Sequence, residues 1–260
     1  MGHKCNTGGH EVVSMKGNGS NPAKINILGF EVDSLTLYEA LQKVEAFLEE
    51  DRLHLIVTAN PEIIMLARQD EQFAKILQQA DLVTADGIGL VIGAKILGKS
   101  LPERVTGIDL STGIFRLAQN RDWSFYLLGG KPGVAEDAAA KLIEQHPGLK
   151  LTGWHHGYFQ DSEPILKEIE GKRPDILLVA LGMGRQEKWI REHAQRLPVR
   201  LAIGVGGSLD VYAGHVQRAP RLFQRFGIEW LYRLIKQPSR LGRMMILPIF
   251  LWKVLKAAIL

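Results

Sequence analysis

The chain has 260 residues, of which 46% are hydrophobic and 23% are charged, and its mean hydropathy is −0.02. These values are typical of a globular chain with about one large domain, and they exclude a disordered, collagen-like or multi-span membrane protein. The single cysteine, Cys5, excludes a disulfide framework and any zinc site built from cysteines.

Charge is segregated along the chain. Residues 216–260 contain nine of the 32 basic residues and only one of the 28 acidic residues, Glu229, which gives this segment a net charge of +8. Residues 1–215 contain the other 23 basic and 27 acidic residues, a net charge of −4. The sequence therefore predicts an acidic body followed by a strongly basic tail.

The two ends of the chain carry no apolar segment of the length that targeting or membrane crossing requires. Residues 1–22 have the Gly, Asn and Ser content of a disordered leader and lack the apolar region of a secretory signal, so we expect a cytoplasmic protein. The longest apolar run in the tail, 244–252, has nine residues, whereas a spanning helix needs about 20. We expect the tail to lie on a membrane without crossing it.

Strand and helix patterns alternate along the body. A stripe at residues 37, 41, 44 and 48, behind a capping box of Thr36 and Glu39, predicts the first helix. Short apolar runs bounded by turn residues predict six strands, several of them apolar throughout, which is typical of a parallel sheet covered on both faces. The predicted strands are 54–59, 82–84, 124–129, 149–152, 176–181 and 201–205, and further helical stripes lie within 63–77 and 186–197.

These repeated strand and helix units predict an α/β fold of Rossmann-like type, with a mostly parallel sheet, helices on both faces and a helical C-terminal appendage. The change from acidic to basic composition predicts a boundary near residue 216, so that the body spans 23–215 and the appendage 216–260.

The appendage has a basic and amphipathic pattern, interrupted by Pro238 and Pro248. On a continuous helix, its basic residues between 233 and 243 would form one stripe beside apolar neighbours, as expected of a helix in an anionic membrane interface. The basic residues are Arg233, Lys236, Arg240 and Arg243, and the apolar ones are Trp230, Leu234, Leu241, Ile246 and Phe250.

Polar or glycine residues lie at the ends of four of the predicted strands or just after them, at the sheet edge where open α/β sheets bind ligands. Each also has a purely structural interpretation. Asn60 before Pro61 is typical of a helix N-cap, and Asp86 is typical of a turn. Glycine-rich turns after strands are common without any phosphate. The candidates are Thr58, Asn60, Asp86, Gly129, Gly130, Gly206, Gly207 and Asp210.

Several kinds of site are missing from the sequence. Gly204, Gly206 and Gly207 lack the spacing of a dinucleotide-binding fingerprint, and neither a nucleophile elbow nor a P-loop is present. No Asp-x-Asp pair is available to hold a Mg²⁺-bound nucleotide sugar. We therefore expect no metal and no cofactor, and any diphosphate charge must be met by groups such as Arg104.

Eight segments, taken in order, resemble the WecG/TagA/CpsF glycosyltransferases: TANPE, ADGIGLV, RVTGIDL, LLGGKPGVAE, HGYF, PDILLVALGMGRQEKWI, GVGGSLDVYAG and the stretch from RAP to QPSR. The resemblance implies transfer of a sugar from a nucleotide diphosphate to a polyprenyl-diphosphate-linked sugar at the cytoplasmic membrane face. The body would then be the catalytic domain and the tail its membrane-associated part. One departure is Gly182-Met183-Gly184, where family members often have Gly-x-Pro.

The resemblance also implies roles for individual residues. Asp86 would be the general base, with Thr58 and Asn60 lining the same pocket. Arg104 and Gln186 match further site positions, and Asp210 matches a position near the nucleotide. The tail arginines that the resemblance places over the diphosphate are Arg233, Arg240 and Arg243.

Within the family, the likeness is to the branch that moves N-acetylmannosamine, with inversion, from UDP to the 4-hydroxyl of GlcNAc on undecaprenyl diphosphate in the wall teichoic acid linkage unit. The alternative donor is UDP-N-acetylmannosaminuronic acid or another UDP-sugar, and the alternative of another class is a non-catalytic membrane adaptor. No nucleic acid partner is expected, because the basic tail lacks interleaved exposed aromatics. A homo-oligomer is left open.

Overall fold

The computed structural model describes residues 23–236, 238 and 241–259. The predicted leader, residues 1–22, and Arg240 lie outside the described residues, and so do the side chains of Arg233 and Arg243.

The core of the fold is a six-stranded sheet in which all neighbouring strands are parallel. Its strands are β3 (His54–Ala59), β4 (Leu82–Ala85), β5 (Ser124–Gly129), β6 (Lys150–His155), β7 (Ile176–Ala180) and β8 (Leu201–Gly204), in the order β4-β3-β8-β7-β5-β6. The predicted α/β fold with a parallel sheet is confirmed. A separate antiparallel hairpin precedes the sheet, formed by β1 (Lys24–Ile27) and β2 (Phe30–Asp33).

Helices cover both faces of the sheet. They are α1 (Leu37–Glu49), α2 (Pro61–Ala67), α3 (Glu71–Gln78), α4 (Ile88–Ile96), α5 (Gly107–Ala118), α6 (Val134–Gln145), α7 (Glu163–Lys172), α8 (Arg185–Glu192), α9 (Ser208–Tyr212), α10 (Arg221–Arg225), α11 (Glu229–Lys236), α12 (Leu241–Met244) and α13 (Ile246–Ile259). The predicted capping box of Thr36 and Glu39 is present at the start of α1.

Alternate residues of the central strand β3 pack into two separate apolar cores. Leu55 and Val57 belong to the core that α2, α3 and α8 cover, whereas Ile56 belongs to the core under α1, α5 and α6. This two-sided burial explains why the strand is apolar throughout, since both of its faces are removed from water.

The helical stripe predicted within 63–77 forms two helices instead of one. Helix α2 ends at Ala67. Asp70 is the N-cap of α3, and its Oδ1 accepts a hydrogen bond from the Phe73 backbone amide at 3.0 Å. An Asp side chain can bond local backbone amides in this way, which favours a helix start over a helix interior.

The tail is divided at one of its two prolines. Helix α11 ends at Lys236, before Pro238, and α12 begins at Leu241, so the predicted basic stripe does not lie on one continuous helix. Pro248 does not interrupt the last helix, because it occupies the third position of α13, where a missing N–H breaks no helical hydrogen bond.

Helix α13 packs against the body, because Phe250 and Val254 are fully buried in the core beside α2 and α4. Close approach depends on two glycines of α4. A Cβ atom at Gly89 would lie 2.6 Å from Leu247 Cδ1, and one at Gly93 would lie 3.1 Å from Phe250 Cε1. The sequence predicts that Phe250 faces the membrane. This prediction is wrong, because Phe250 lies in the core.

Candidate active site

A cavity of about 550 Å³ opens beyond the carboxyl ends of the parallel strands. The segments that follow β3, β4, β5, β6, β7 and β8 all contribute to its wall, as do residues of the tail. The position agrees with the general rule for open parallel sheets, in which loops at this edge surround the ligand.

Three candidate residues meet in this cavity: Thr58, Asn60 and Asp86. Thr58 is the penultimate residue of β3, and its buried hydroxyl donates to the Gly204 carbonyl oxygen at 3.1 Å. This bond fixes the side chain across the junction of β3 and β8. A Cβ atom at Gly107 would lie 3.2 Å from the Thr58 hydroxyl oxygen, so the start of α5 closes over Thr58.

Asn60 serves as the N-cap of α2, with Pro61 at the first position of that helix. Its Oδ1 accepts a hydrogen bond from the Ile63 backbone amide at 2.9 Å. The structural interpretation of this Asn-Pro pair is therefore confirmed. Because the oxygen serves the cap, a contact of Asn60 with a ligand in the cavity would involve its amide nitrogen.

Asp86 lies at the first position after β4 and is half-buried at the cavity wall. Its backbone amide donates to the Ala59 carbonyl oxygen at 2.8 Å, which ties the loop after β4 to the end of β3. The backbone amide of Gly107, the first residue of α5, donates to Asp86 Oδ2 at 3.5 Å. The carboxylate thus lies at a helix N-terminus, a position that stabilises its negative charge.

Gln186 is buried and supports the loop after β8. Its Oε1 accepts from the Gly206 backbone amide at 3.2 Å, and its Nε2 donates to Glu187 Oε1 at 2.8 Å. Glu187 also accepts from the Gly184 amide at 2.8 Å. Burial raises the pKa of Glu187, and these hydrogen bonds only partly offset that effect.

In the turn before α8, this chain has Gly184 where the Gly-x-Pro pattern has proline. Gly184 has a φ of +79°, which proline cannot adopt because its ring holds φ near −65°. A Cβ atom at Gly184 would also lie 2.8 Å from Leu66 Cδ2. This chain therefore reaches Gln186 through a left-handed glycine turn.

The four candidate glycines differ in what they do. Gly130, Gly206 and Gly207 line the cavity, whereas Gly129 does not belong to its wall. Gly129 has a φ of +138°, and a Cβ atom there would lie 2.4 Å from the Ala180 carbonyl oxygen. Its conformation allows β5 and β7 to end side by side, so Gly129 shapes the site without facing it.

Arg104 lines the cavity and pairs with the tail. Its Nη2 lies 3.3 Å from Oε1 of Glu229, which is itself 3.6 Å from Arg218 Nη2. Arg218 in turn forms an ion pair with Asp109 of α5, in which Arg218 Nη1 lies 2.7 Å from Asp109 Oδ1. Burial raises the pKa of Asp109, but the bonds from Arg218 and from Thr106 outweigh burial, so this pKa lies below its ordinary value.

The tail forms one wall of the cavity, and its apolar part is Trp230, Met244 and Leu247. Asp210 lines both this cavity and a second cavity of about 640 Å³ that adjoins it. Tyr232 and Lys236 of α11 line that second cavity. Residues of the body and of the tail therefore enclose the same space.

Sequence reasoning missed four charged residues at the site: Glu62, Lys131, Arg185 and Glu229. Each lines the main cavity. Lys131 follows the candidates Gly129 and Gly130 in the segment GGKPG, and Arg185 precedes the candidate Gln186 in GRQE. The signal for Glu229 was its isolation as the only acid among nine basic residues of the tail.

Neither a metal cluster nor a spanning helix occurs in the part of the chain that the structure describes. Within residues 23–236, 238 and 241–259, no group of three or more His, Cys, Asp or Glu side chains is placed to hold a metal ion. In the same residues, no helix is long and apolar enough to cross a bilayer.

Comparison with known protein families matches residues 25–260 to the Glycosyl transferase WecG/TagA/CpsF family. Similar curated proteins include the N-acetylglucosaminyldiphosphoundecaprenol N-acetyl-beta-D-mannosaminyltransferases of Staphylococcus aureus strains MRSA252, MW2 and NCTC 8325 / PS 47. Each aligns over 241 residues at 35% identity, covering 92% of this chain and 94% of the relative. With the site at the strand ends, this places the chain in the WecG/TagA/CpsF glycosyltransferase family.

Proposed function

We propose that this protein transfers N-acetylmannosamine from UDP to the 4-hydroxyl of GlcNAc on undecaprenyl diphosphate, with inversion at the anomeric carbon. The observation that carries the proposal is the meeting of Thr58, Asn60 and Asp86 in one cavity of a chain 35% identical, over 92% of its length, to mannosaminyltransferases. UDP-N-acetylmannosamine is the donor and the lipid-linked GlcNAc is the acceptor.

Asp86 is the general base of a single displacement. The acceptor 4-hydroxyl oxygen attacks the anomeric carbon, its proton passes to the Asp86 carboxylate, and the bond from the anomeric carbon to the UDP oxygen breaks. UDP leaves with the electron pair of that bond. The Gly107 amide beside Asp86 stabilises the ionised carboxylate that this role requires.

Cations of the cavity meet the charge of the departing diphosphate. Arg104 already lies 3.3 Å from Glu229, which compensates part of its charge. Lys131, in the loop after β5, and Arg185, the first residue of α8, also line the cavity and are exposed, so they supply further positive charge. This arrangement, with the lack of any Asp-x-Asp pair, supports a reaction without a metal ion.

The exposed face of the tail associates with the membrane surface where the acceptor is embedded. Large apolar side chains of α13, among them Ile249 and Trp252, are 46% and 62% exposed. Basic residues Lys253 and Lys256 lie beside them on the same helix. Exposed apolar side chains next to lysines are expected of a helix bound to an anionic bilayer surface.

UDP release is the direct test of this function. Full-length protein is incubated with UDP-N-acetylmannosamine in EDTA, with and without a lipid-diphosphate GlcNAc analogue. Acceptor-dependent release is the expected result. Loss of release in EDTA that Mg²⁺ restores would contradict metal independence, and faster turnover of UDP-N-acetylmannosaminuronic acid would contradict the donor assignment.

Asp86→Asn tests the base and separates an enzyme from a membrane adaptor. Removal of a general base lowers the rate by about 10² to 10⁴, so near-complete loss of transfer is expected while vesicle binding is retained. Asp51→Asn is the matched control, since Asp51 is exposed just before β3, at the opposite end of the sheet. Transfer by Asp86→Asn at the control rate would overturn the assignment.

A further inference from the structure

The ion pairs at the root of the tail form a chain that begins and ends on the body. Asp109 of α5 receives two bonds from Arg218, at 2.7 and 2.9 Å. Arg218 lies 3.6 Å from Glu229, and Glu229 lies 3.3 Å from Arg104 at the cavity wall. The order is therefore body, tail, tail, body, with Glu229 as the link between the two guanidinium groups.

Arg104 takes its tail contacts from residues that are close to it only when the tail is docked. Its Nη2 faces Glu229 and also donates to the Gln224 carbonyl oxygen at 3.5 Å. The Arg104 side chain is only 17% exposed, so it has little water to replace these acceptors. Its orientation in the cavity therefore depends on where the tail lies.

Glu229 suits the role of a shared counter-charge. It is 7% exposed and stands at the first residue of α11, where the helix dipole also favours a carboxylate. Its distances to Arg104 and Arg218 exceed the roughly 2.7–2.9 Å of a strong charge-assisted hydrogen bond. A guanidinium group has five N–H donors, so Arg104 keeps donors for a ligand while Glu229 holds it.

We propose that Glu229 is a positioning residue that couples docking of the tail to the orientation of Arg104 in the cavity. With the tail docked, Glu229 holds the Arg104 guanidinium against the cavity wall, where it meets the diphosphate of the donor. Without the Glu229 charge, Arg104 and Arg218 repel each other across a half-buried space, and Arg104 leaves its binding geometry. This inference rests on the proposed function, in which Arg104 faces the departing UDP.

A double-mutant cycle tests the coupling. Glu229→Gln keeps the size of the side chain and a hydrogen-bond acceptor but removes its charge. We expect it to lower kcat by roughly tenfold in the wild-type background and to have almost no further effect when Arg104 is already alanine. An equal loss in both backgrounds would show a purely structural role and overturn the proposal, as would unchanged kcat in Glu229→Gln alone.

Arginine side-chain NMR supplies a readout that does not depend on turnover. The Arg104 Nε–Hε signal, assigned with Arg104→Lys, is expected to shift and broaden in Glu229→Gln, and to stay unchanged in the control Glu144→Gln, whose side chain is exposed on α6. An unchanged Arg104 signal in Glu229→Gln overturns the positioning role. If the signal responds but wild-type protein releases no UDP, the coupling stands and the proposed reaction fails.

Discussion

Helix α13 is expected to stabilise the body, and Phe250→Ala measures how much. The Phe250 ring is fully buried and lies against Gly93 of α4, which has no side chain that could move into the space left behind. Replacing a buried Phe with Ala lowers the free energy of unfolding by about 3–5 kcal/mol. The loss is near the upper end of this range where neighbouring side chains cannot move into the cavity. For a domain of this size, the expected fall in Tm is roughly 6–20 °C.

Trp252→Ala is the matched control on the same helix. Trp252 is 62% exposed, and its ring lies 5.9 Å from the Lys256 ammonium, a contact worth about 0.5–1 kcal/mol. The Tm of this variant should change by only about 1–4 °C. Calorimetry on both variants, with amide hydrogen exchange on α13, provides the measurement.

A second substitution tests the packing from the other side of the contact. The Cβ atom of Gly93→Ala would approach Phe250 Cε1 to 3.1 Å, which is tight in the wild-type protein. In the Phe250→Ala background the same methyl group enters the vacated space and should recover part of the lost Tm. The docking of α13 is refuted if Phe250→Ala and Trp252→Ala have the same Tm and the α13 amides of Phe250→Ala exchange at the wild-type rate.

Three further outcomes follow from single contacts. Gly129→Ala forces a Cβ atom to within 2.4 Å of the Ala180 carbonyl oxygen and should lower Tm and UDP affinity, whereas Gly171→Ala on α7, with open space around it, should raise Tm slightly. The folded-state pKa of Asp109 is lowered, so its stabilisation is present above its ordinary value of 3.8 and is lost as pH falls through the lower folded value. As the pH falls below 3.8, the free energy of unfolding in urea should therefore decrease less for Asp109→Asn than for the wild-type protein. An identical decrease in both proteins would refute the ion pair. Replacing Lys253 and Lys256 with Gln removes about 2 kcal/mol of attraction and should weaken binding to anionic vesicles roughly 30-fold, with neutral vesicles unaffected; undiminished sedimentation with anionic vesicles would count against α13 as the binding face.

The sheet was predictable because each buried strand leaves a local signal. A run such as HLIVTA is apolar on both faces, and the turn residues beside it mark its ends. The hairpin of β1 and β2 was missed because its strands have four residues each and alternate buried with exposed positions only briefly. Its turn is at Leu28-Gly29, both with positive φ, and a leucine there gives no turn signal.

The site was predictable where it follows from the topology alone. Thr58, Asn60 and Asp86 were found because the carboxyl ends of neighbouring parallel strands meet at one edge. The pairing of Arg104 with Glu229 was not predictable, since the two residues are 125 positions apart and no local pattern links them. The burial of Phe250 was missed for a related reason: an apolar residue on an amphipathic helix packs equally well against a bilayer or a neighbouring helix.

The geometry of α13 limits how the tail can meet a membrane. Residues 247, 250 and 254 face the cavity and the core, whereas 249, 252 and 256 recur at the same spacing on the opposite side of the helix. Membrane binding through that opposite side therefore requires no undocking of Phe250. A helix with its side chains is about 10 Å across, so a bilayer bound to the exposed side would lie about one helix diameter from the cavity wall that Leu247 forms. Under the proposed function, the diphosphate and sugar of the acceptor would have to bridge that distance while the lipid chain remains in the bilayer.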